Sequence, residues 1–207
     1  MRPGERAGLA RGGSLDAVLE MALTDPPLRP LPPAASALLR RAGAPPRLAA
    51  HLRAVHDVAV SLTGWLETAC PAARFDREAV LFGAATHDIG KIVHREELSE
   101  PGALHEPAGE QLLLSAGVEP RRARFAGTHA SWHSERAGLE DHLVSLADKV
   151  WKAQRQEDLE QLVVDRIALL NAQAPWEAFL ALDDCLTGLA AGADARLTFQ
   201  NAYPIGP

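Results

Sequence analysis

The residues best suited to chemistry are an adjacent histidine and aspartate, His87 and Asp88, in the string THDIGK at residues 86–91. The pair follows an apolar run at residues 79–82, so we expect it at the end of a buried helix. A carboxylate removed from water needs a partner, and the partial negative charge of a helix C-terminus favours a cation. Because imidazole and carboxylate together are common donors to divalent metals, the pair indicates a metal site. A salt-bridged surface pair is the alternative.

A second carboxylate in apolar surroundings is Asp148, in the string VSLADKVW at residues 144–151. On a helix it lies beside a stripe formed by Leu139, Leu143, Leu146 and Val150. A carboxylate there is usually paired or metal-bound. The alternative is a salt bridge to Lys152, four residues later.

Two histidines fall on one predicted helix that begins near Pro46. Its apolar stripe has alternating spacings of four and three, at Leu48, Leu52, Val55, Ala59, Leu62 and Leu66. His56 borders this stripe, which suits either a core histidine or a ligand. His51 has the same ambiguity, and we leave it outside the predicted site.

Three more histidines stand between the doublet and Asp148. His105 begins the string HEPAG, which lacks the second histidine of the zinc-protease motif H-E-x-x-H and excludes that class. His129 and His133 are four residues apart, so one helix face can present both rings. A polar surface face is the alternative for this pair.

The elements that must position these residues are helices, and we predict an all-α fold. Periodicity, together with proline and glycine punctuation, predicts helices at residues 14–23, 34–42, 48–66, 77–88, 107–116, 120–133, 139–155, 157–171 and 176–191. We expect one domain, made of an N-terminal arm (1–45), a metal-binding core (46–155) and C-terminal helices (156–207) packed on that core.

Composition narrows the function classes. The net charge of −6 argues against a protein that coats nucleic acid, although a few local cations can still hold a small anion. The chain has no apolar run long enough to cross a bilayer and no signal-like stretch after its first residues, which predicts a cytoplasmic protein without membrane contact. The distant Cys70 and Cys185 suit core positions rather than a disulfide framework.

Taken in order, His56, the His87-Asp88 doublet and Asp148 resemble the HD superfamily over residues 46–155. The resemblance implies a helical HD-domain bundle in which these four residues bind a divalent metal. Members with two metals carry two further histidines before the last aspartate. His105 and His129 match those positions, with His133 as the alternative to His129, and Asp88 would then bridge the ions. The cofactor would be one or two ions of Mn, Fe, Co, Ni, Zn or Mg.

The resemblance also implies a phosphohydrolase, a phosphomonoesterase or phosphodiesterase acting on a nucleotide or another small phosphorylated molecule through metal-activated hydroxide. Asp88 and Lys91 would be catalytic, and Lys91, His133 and Lys152 would bind substrate. Lys91 stands where family nucleotidases often carry a catalytic glutamate. Its alternative is a solvated lysine at a helix end. The sequence is also compatible with a homodimer.

A second departure from the family pattern and two alternative functions limit the substrate prediction. The cyclic-di-GMP enzymes of the family carry a Gly-Tyr-Pro motif, whereas the one tyrosine here, Tyr203, lies near the C-terminus. Cyclic-di-GMP is therefore not predicted. The same six ligands would serve a di-iron oxygenase that cleaves a C–P or C–C bond. A metal-bound module that senses a ligand or a partner protein, with little activity, is the other alternative.

Overall fold

The helices of this computed structural model, which describes residues 15–206, confirm the predicted all-α class, and no strand occurs within that range. They are α1 (Leu15–Thr24), α2 (Pro33–Arg41), α3 (Pro46–Ala69), α4 (Arg77–Ala84), α5 (His105–Ser115), α6 (Pro120–Ala123), α7 (Phe125–Thr128), α8 (Leu139–Val150), α9 (Glu157–Asn171), α10 (Pro175–Ala190) and α11 (Ala193–Asn201). Two 3-10 turns, Ile89–Ile92 and Arg95–Leu98, lie between α4 and α5. The first 14 residues of the predicted arm, including the start of the predicted 14–23 helix, lie outside the described residues.

The long helix α3 is the centre of the fold. It begins at Pro46, where the missing backbone N–H costs nothing because a first-turn N–H has no intrahelical acceptor. Helices α1, α4, α8 and α11 pack around it, so most of its faces are buried. A helix covered on so many sides can direct side chains towards several neighbours.

Helix α4 ends sooner than the sequence predicts, at Ala84 rather than residue 88. Its start is fixed by Asp76, whose Oδ1 accepts from the N–H of Ala79 at 2.9 Å. At its other end the N–H of His87 donates to the oxygen of Gly83 at 2.7 Å, and the chain tightens into the 3-10 turn. The His87-Asp88 doublet therefore lies in a turn after the helix.

A close backbone approach holds this turn against α5. A Cβ atom on Gly90 would lie 1.9 Å from the carbonyl oxygen of His105 and 2.6 Å from the nitrogen of Gly109. Only a residue without a side chain fits there, since such contacts are far inside van der Waals distance. Glycine at position 90 thus allows the start of α5, and His105 with it, to lie beside the doublet.

A buried carboxylate joins α7 to α8. Asp141, in the first turn of α8, is fully buried and accepts from the Arg124 guanidinium at 2.9 Å, from Thr128 Oγ1 at 2.7 Å and from the N–H of Gly138 at 3.0 Å. These bonds satisfy the charge that burial would otherwise make costly. They fix the end of α7, where His129 follows, relative to α8.

Other boundaries differ from the prediction for local reasons. The predicted 120–133 helix is broken into α6 and α7, with no helix between Thr128 and Leu139. Helix α8 ends at Val150 instead of residue 155, because Ala153 adopts a left-handed φ of 61°. Helix α11 was not predicted; it packs on α3.

None of the helices within residues 15–206 has the length and apolar character needed to span a membrane.

Candidate metal centre

Six histidine and aspartate side chains from five parts of the fold converge near the N-terminal end of α3. They are His51 of α3, His87 and Asp88 of the turn after α4, His105 at the start of α5, His129 just after α7 and Asp148 of the last turn of α8. Two groups of three have donor atoms within 4.8 Å of one another: His51, His87 and Asp148, and His87, Asp88 and His129. The side chains are buried or nearly so.

Asp88 lies at the middle of this cluster, and its two carboxylate oxygens face different histidines. Its Oδ1 is 3.0 Å from His105 Nε2 and 3.4 Å from His129 Nε2. Its Oδ2 is 3.2 Å from His51 Nε2 and 3.7 Å from His87 Nε2. One carboxylate thus faces two pairs of imidazoles, an arrangement that could bridge two cations.

Asp148 completes one of the two sides. Its Oδ1 lies 3.3 Å from His87 Nε2 and 3.9 Å from His51 Nε2, while its Oδ2 accepts from Lys149 Nζ at 2.7 Å. The salt bridge to Lys152 considered from the sequence is thus replaced by one to the adjacent Lys149. The oxygen that faces the histidines remains available to a cation.

The ring orientations expose nitrogen lone pairs to the centre of the cluster. His87 Nδ1 and His129 Nδ1 lie 3.0 Å from the carbonyl oxygens of Ala84 and Ala126, which only accept, so both Nδ1 atoms carry the proton. A neutral ring then has a lone pair on Nε2. Nε2 atoms meet at 3.4 Å between His51 and His87, and at 3.4 Å between His105 and His129. The lone pairs on His87 Nε2 and His129 Nε2 can each bind a cation, so this donor set fits divalent metals.

The same neighbours keep both carboxylates ionised. Burial alone would raise the pKa of Asp88, but the imidazoles that surround its two oxygens lower it well below its usual value. Burial likewise opposes ionisation of Asp148, yet His87 and Lys149 bring the pKa of that carboxyl well below its usual value. Both groups therefore supply negative charge to the cluster at neutral pH.

The structure does not bring His56 into the cluster, and this is a correction to the sequence-based ligand set. Five residues of α-helix turn through about 500°, so His51 and His56 leave α3 on sides about 140° apart. His51 reaches the doublet and Asp148. His56 is buried elsewhere, with an Nδ1 that has no hydrogen-bond partner among the described residues.

The environment of His56 makes an acid-stability prediction. Burial, reinforced by nearby arginines, lowers its pKa from 6.5 to about 4. As the pH falls, the unfolded chain takes up this proton first, so the free energy of unfolding decreases between about pH 6.5 and about pH 4. From pH 7 to pH 5 the loss through His56 should be about 2 kcal/mol. Urea unfolding at both pH values should show a loss smaller by that amount in His56→Leu; equal losses in the two proteins would contradict the assignment.

Glu97, which the sequence analysis did not identify, orients one of the histidines. It is buried in the second 3-10 turn, and its carboxylate accepts from His105 Nδ1, from the N–H of His105 and from the N–H of Leu104. With Nδ1 donating to Glu97, the lone pair of His105 Nε2 faces Asp88. A carboxylate in this position fixes a ligand's ring and raises its basicity.

Removing the charge of Glu97 should weaken metal binding. Glu97→Gln keeps the shape but cannot accept as strongly from the imidazole, so we expect the dissociation constant for Mn²⁺ to rise by about 10- to 100-fold. Competition with a chromogenic chelator measures it. Glu100→Gln, at an exposed nearby position, is the matched control. Equal affinities in both variants would argue against an orienting role.

A small cavity opens beside the cluster. It has a volume of about 170 Å³ and is lined by Arg47, Leu48, His51, Asp88, Lys91, Leu98, Trp151, Lys152 and Gln200. Lys91 donates to Asp88 Oδ2 at 2.6 Å, with one fifth of its side chain exposed. The two predicted substrate-binding lysines, Lys91 and Lys152, thus border one cavity next to Asp88.

His133, the third predicted substrate-binding residue, lies elsewhere. Its side chain is 63% exposed and its Nε2 lies 2.9 Å from Asp158 Oδ2, the same oxygen that accepts from Trp132 Nε1. The predicted helix through 120–133 would have placed it one turn from His129. Because that helix ends at Thr128, His133 follows a different path. It is not part of the cavity lining, and His129 rather than His133 joins the cluster.

Comparison with known proteins agrees with this geometry. A family model described as the HD domain matches residues 48–166. No curated protein and no solved structure matches the chain. The matched segment covers more than half of the 207 residues and contains all six members of the cluster. The chain therefore belongs to the HD-domain family, whose members are generally metal-dependent hydrolases.

Proposed function

We propose that this protein is a metal-dependent phosphohydrolase that cleaves a phosphomonoester or phosphodiester of a nucleotide or other small molecule. The main support for the proposal is the position of Asp88. Each of its oxygens faces one pair of imidazoles, and the cavity beside it is bordered by lysines. Two adjacent cations and a cationic cavity would both promote hydrolysis of a phosphate ester.

In this proposal the histidines and carboxylates divide into two ligand groups. His51, His87 and Asp148 would hold one ion, His105 and His129 would hold the other, and Asp88 would contribute to both. When bound, such ions supply an activated water and neutralise charge on the phosphoryl group. Mn, Fe, Co, Ni, Zn and Mg all accept these donors to some degree, so the ligand set leaves the metal open.

Lys91 and the cavity walls act on the substrate. The Lys91 ammonium, held by Asp88, faces the cavity and donates to a non-bridging phosphoryl oxygen. The oxygen of a water bonds to phosphorus while the bond from phosphorus to the ester oxygen breaks. One proton of that water ends on the departing oxygen, so the products are an alcohol and phosphate, or a phosphomonoester when the substrate is a diester.

The test separates hydrolysis from the oxygenase chemistry that the same ligands permit. The protein loaded with Mn²⁺ or Co²⁺ is assayed against phosphomonoesters and phosphodiesters, including nucleotides, and the iron-loaded protein is assayed for O₂ consumption with small phosphonates and polyols. We expect phosphate release in the first assay. O₂ consumption in the second, with no ester cleaved in the first, would replace the phosphohydrolase by a di-iron oxygenase.

A further inference from the structure

The far side of the cavity carries positive charge that has no carboxylate partner. The Arg47 guanidinium donates to the carbonyl oxygens of Tyr203 and Asn201, and no carboxylate of residues 15–206 forms an ion pair with it. Lys152 also lacks an ion pair within that range and lies over the Trp151 ring at 5.9 Å. With Lys91, three cations face one carboxylate, Asp88, in a protein whose net charge is −6. A local field of this sign attracts anions.

Unused hydrogen-bonding groups line the same cavity. The Gln200 side chain makes no hydrogen bond with the described residues, and its Oε1 is buried. The indole N–H of Trp151 is also buried without an acceptor, in a side chain only 3% exposed. A buried polar group without a partner costs free energy, so a ligand or a small side-chain adjustment that supplies a partner would be favoured here.

Two of these groups lie outside the segment that matches the HD domain. Arg47 precedes residue 48, and Gln200 belongs to α11, well beyond residue 166. Arg47 holds the end of α11 through the carbonyl oxygen of Asn201, while Arg196 of the same helix donates to the carbonyl oxygen of Trp151. The C-terminal helix is thus fixed as one wall of the cavity. Arg47 and Gln200 thus complete the cavity from outside the matched segment.

The size of the cavity limits what the wall can recognise. Its volume of about 170 Å³ is below the roughly 300–1,000 Å³ of typical ligand pockets. A compact molecule fits better than a nucleoside inside this space.

We propose that the substrate is a small phosphate ester that carries a second anionic group on a short carbon skeleton. Its ester phosphate lies at the Asp88 end, and Arg47 and Lys152 bind the second group, with Gln200 completing its hydrogen bonds. This inference rests on the proposed phosphohydrolase function. A carboxylate and a phosphate are the two sources of that second charge.

The test compares three esters with the same three-carbon skeleton, using the full-length protein loaded with Mn²⁺. Glycerol 3-phosphate has a neutral tail, 3-phosphoglycerate a carboxylate and glycerol 1,3-bisphosphate a second phosphate. We expect kcat/KM to be at least about tenfold higher for one or both doubly anionic esters, mainly through KM. The better of the two identifies the second group.

Variants of the wall check that the preference originates there. Lys152→Met, at an exposed position, should remove most of the preference for the doubly anionic esters. Arg47→Met should do the same, with thermal unfolding checked because Arg47 also holds the C-terminal segment. Arg166→Met, at an exposed site on α9, is the matched control and should retain the preference.

Binding by calorimetry separates this inference from the proposed function. If the three esters are cleaved equally well, the inference is overturned and the phosphohydrolase stands. If no ester is cleaved but 3-phosphoglycerate or the bisphosphate binds in a Lys152-dependent manner, the anion site stands but these esters are not substrates, which overturns the inference about the substrate. If no ester is cleaved and none binds, the inference is overturned, and the wider panel of nucleotides, monoesters and diesters decides the proposed function.

Discussion

Replacing Asp88 with asparagine should lower kcat for a phosphate ester by at least about a thousandfold. Asp88 directs one oxygen to His105 and His129 and the other to His51 and His87. The amide keeps the shape but loses the charge, and its NH₂ group meets nitrogen lone pairs on one of the two sides. Loss of about 4 kcal/mol of transition-state stabilisation, the scale of a metal's contribution, corresponds to that factor.

The measurement combines kinetics with metal content. Steady-state turnover of Mn²⁺-loaded Asp88→Asn is compared with that of Asp184→Asn, an exposed aspartate on α10 that should behave as the unmodified protein does. Elemental analysis after dialysis should also find less metal per chain in the Asp88 variant. If turnover is unchanged while metal is lost, the cluster is not catalytic, and a metal-bound sensing module becomes the better description.

The all-α class and most helix positions could be predicted because the physical signals are local. Apolar residues at spacings of three and four, ended by glycine and proline, locate α3, α8, α9 and α10 within a few residues. Helix ends next to the site were less predictable. After His87 the backbone continues to turn, but with 3-10 hydrogen bonds between residues three apart. This change accompanies the packing of Gly90 on α5, a long-range contact that the local sequence does not reveal.

The cluster of side chains was predicted in part, and the difference has a physical cause. His87, Asp88, His105, His129 and Asp148 lie together as the resemblance to the HD superfamily implies. The remaining position was assigned to His56, whereas His51 occupies it. Periodicity distinguishes buried from exposed faces of a helix, but α3 is buried on most faces, so the pattern cannot tell which buried face meets the other histidines.

The groups that the sequence analysis missed act across large separations in the chain. Glu97 contacts His105 only because a 3-10 turn folds back on the start of α5. Arg47 and Gln200 line one cavity although 153 positions separate them. No local motif marks such residues. Their signal is three-dimensional: a buried carboxylate on a histidine, and cations and amides without partners around one cavity.

The two histidines of α3 provide the sharpest test of the site, because they lie on the same helix but their side chains leave it on different sides. His51→Ala should lower metal content by about one ion per chain and reduce turnover by about a hundredfold or more. Loss of a residue that only orients a ligand typically lowers activity by about 10- to 100-fold, and loss of a direct ligand should have at least as large an effect. His56→Leu should keep metal content and leave turnover within about twofold. Elemental analysis and steady-state kinetics on both variants check this.

The two outcomes have opposite consequences for the cluster. A protein that loses metal through His56→Leu and keeps it through His51→Ala would bind its cation somewhere other than between Asp88 and Asp148. The expected pattern has a direct geometric basis: His51 Nε2 lies 3.2 Å from Asp88 Oδ2 and 3.4 Å from His87 Nε2. A cation shared by those atoms cannot be held by a ring that leaves α3 about 140° away.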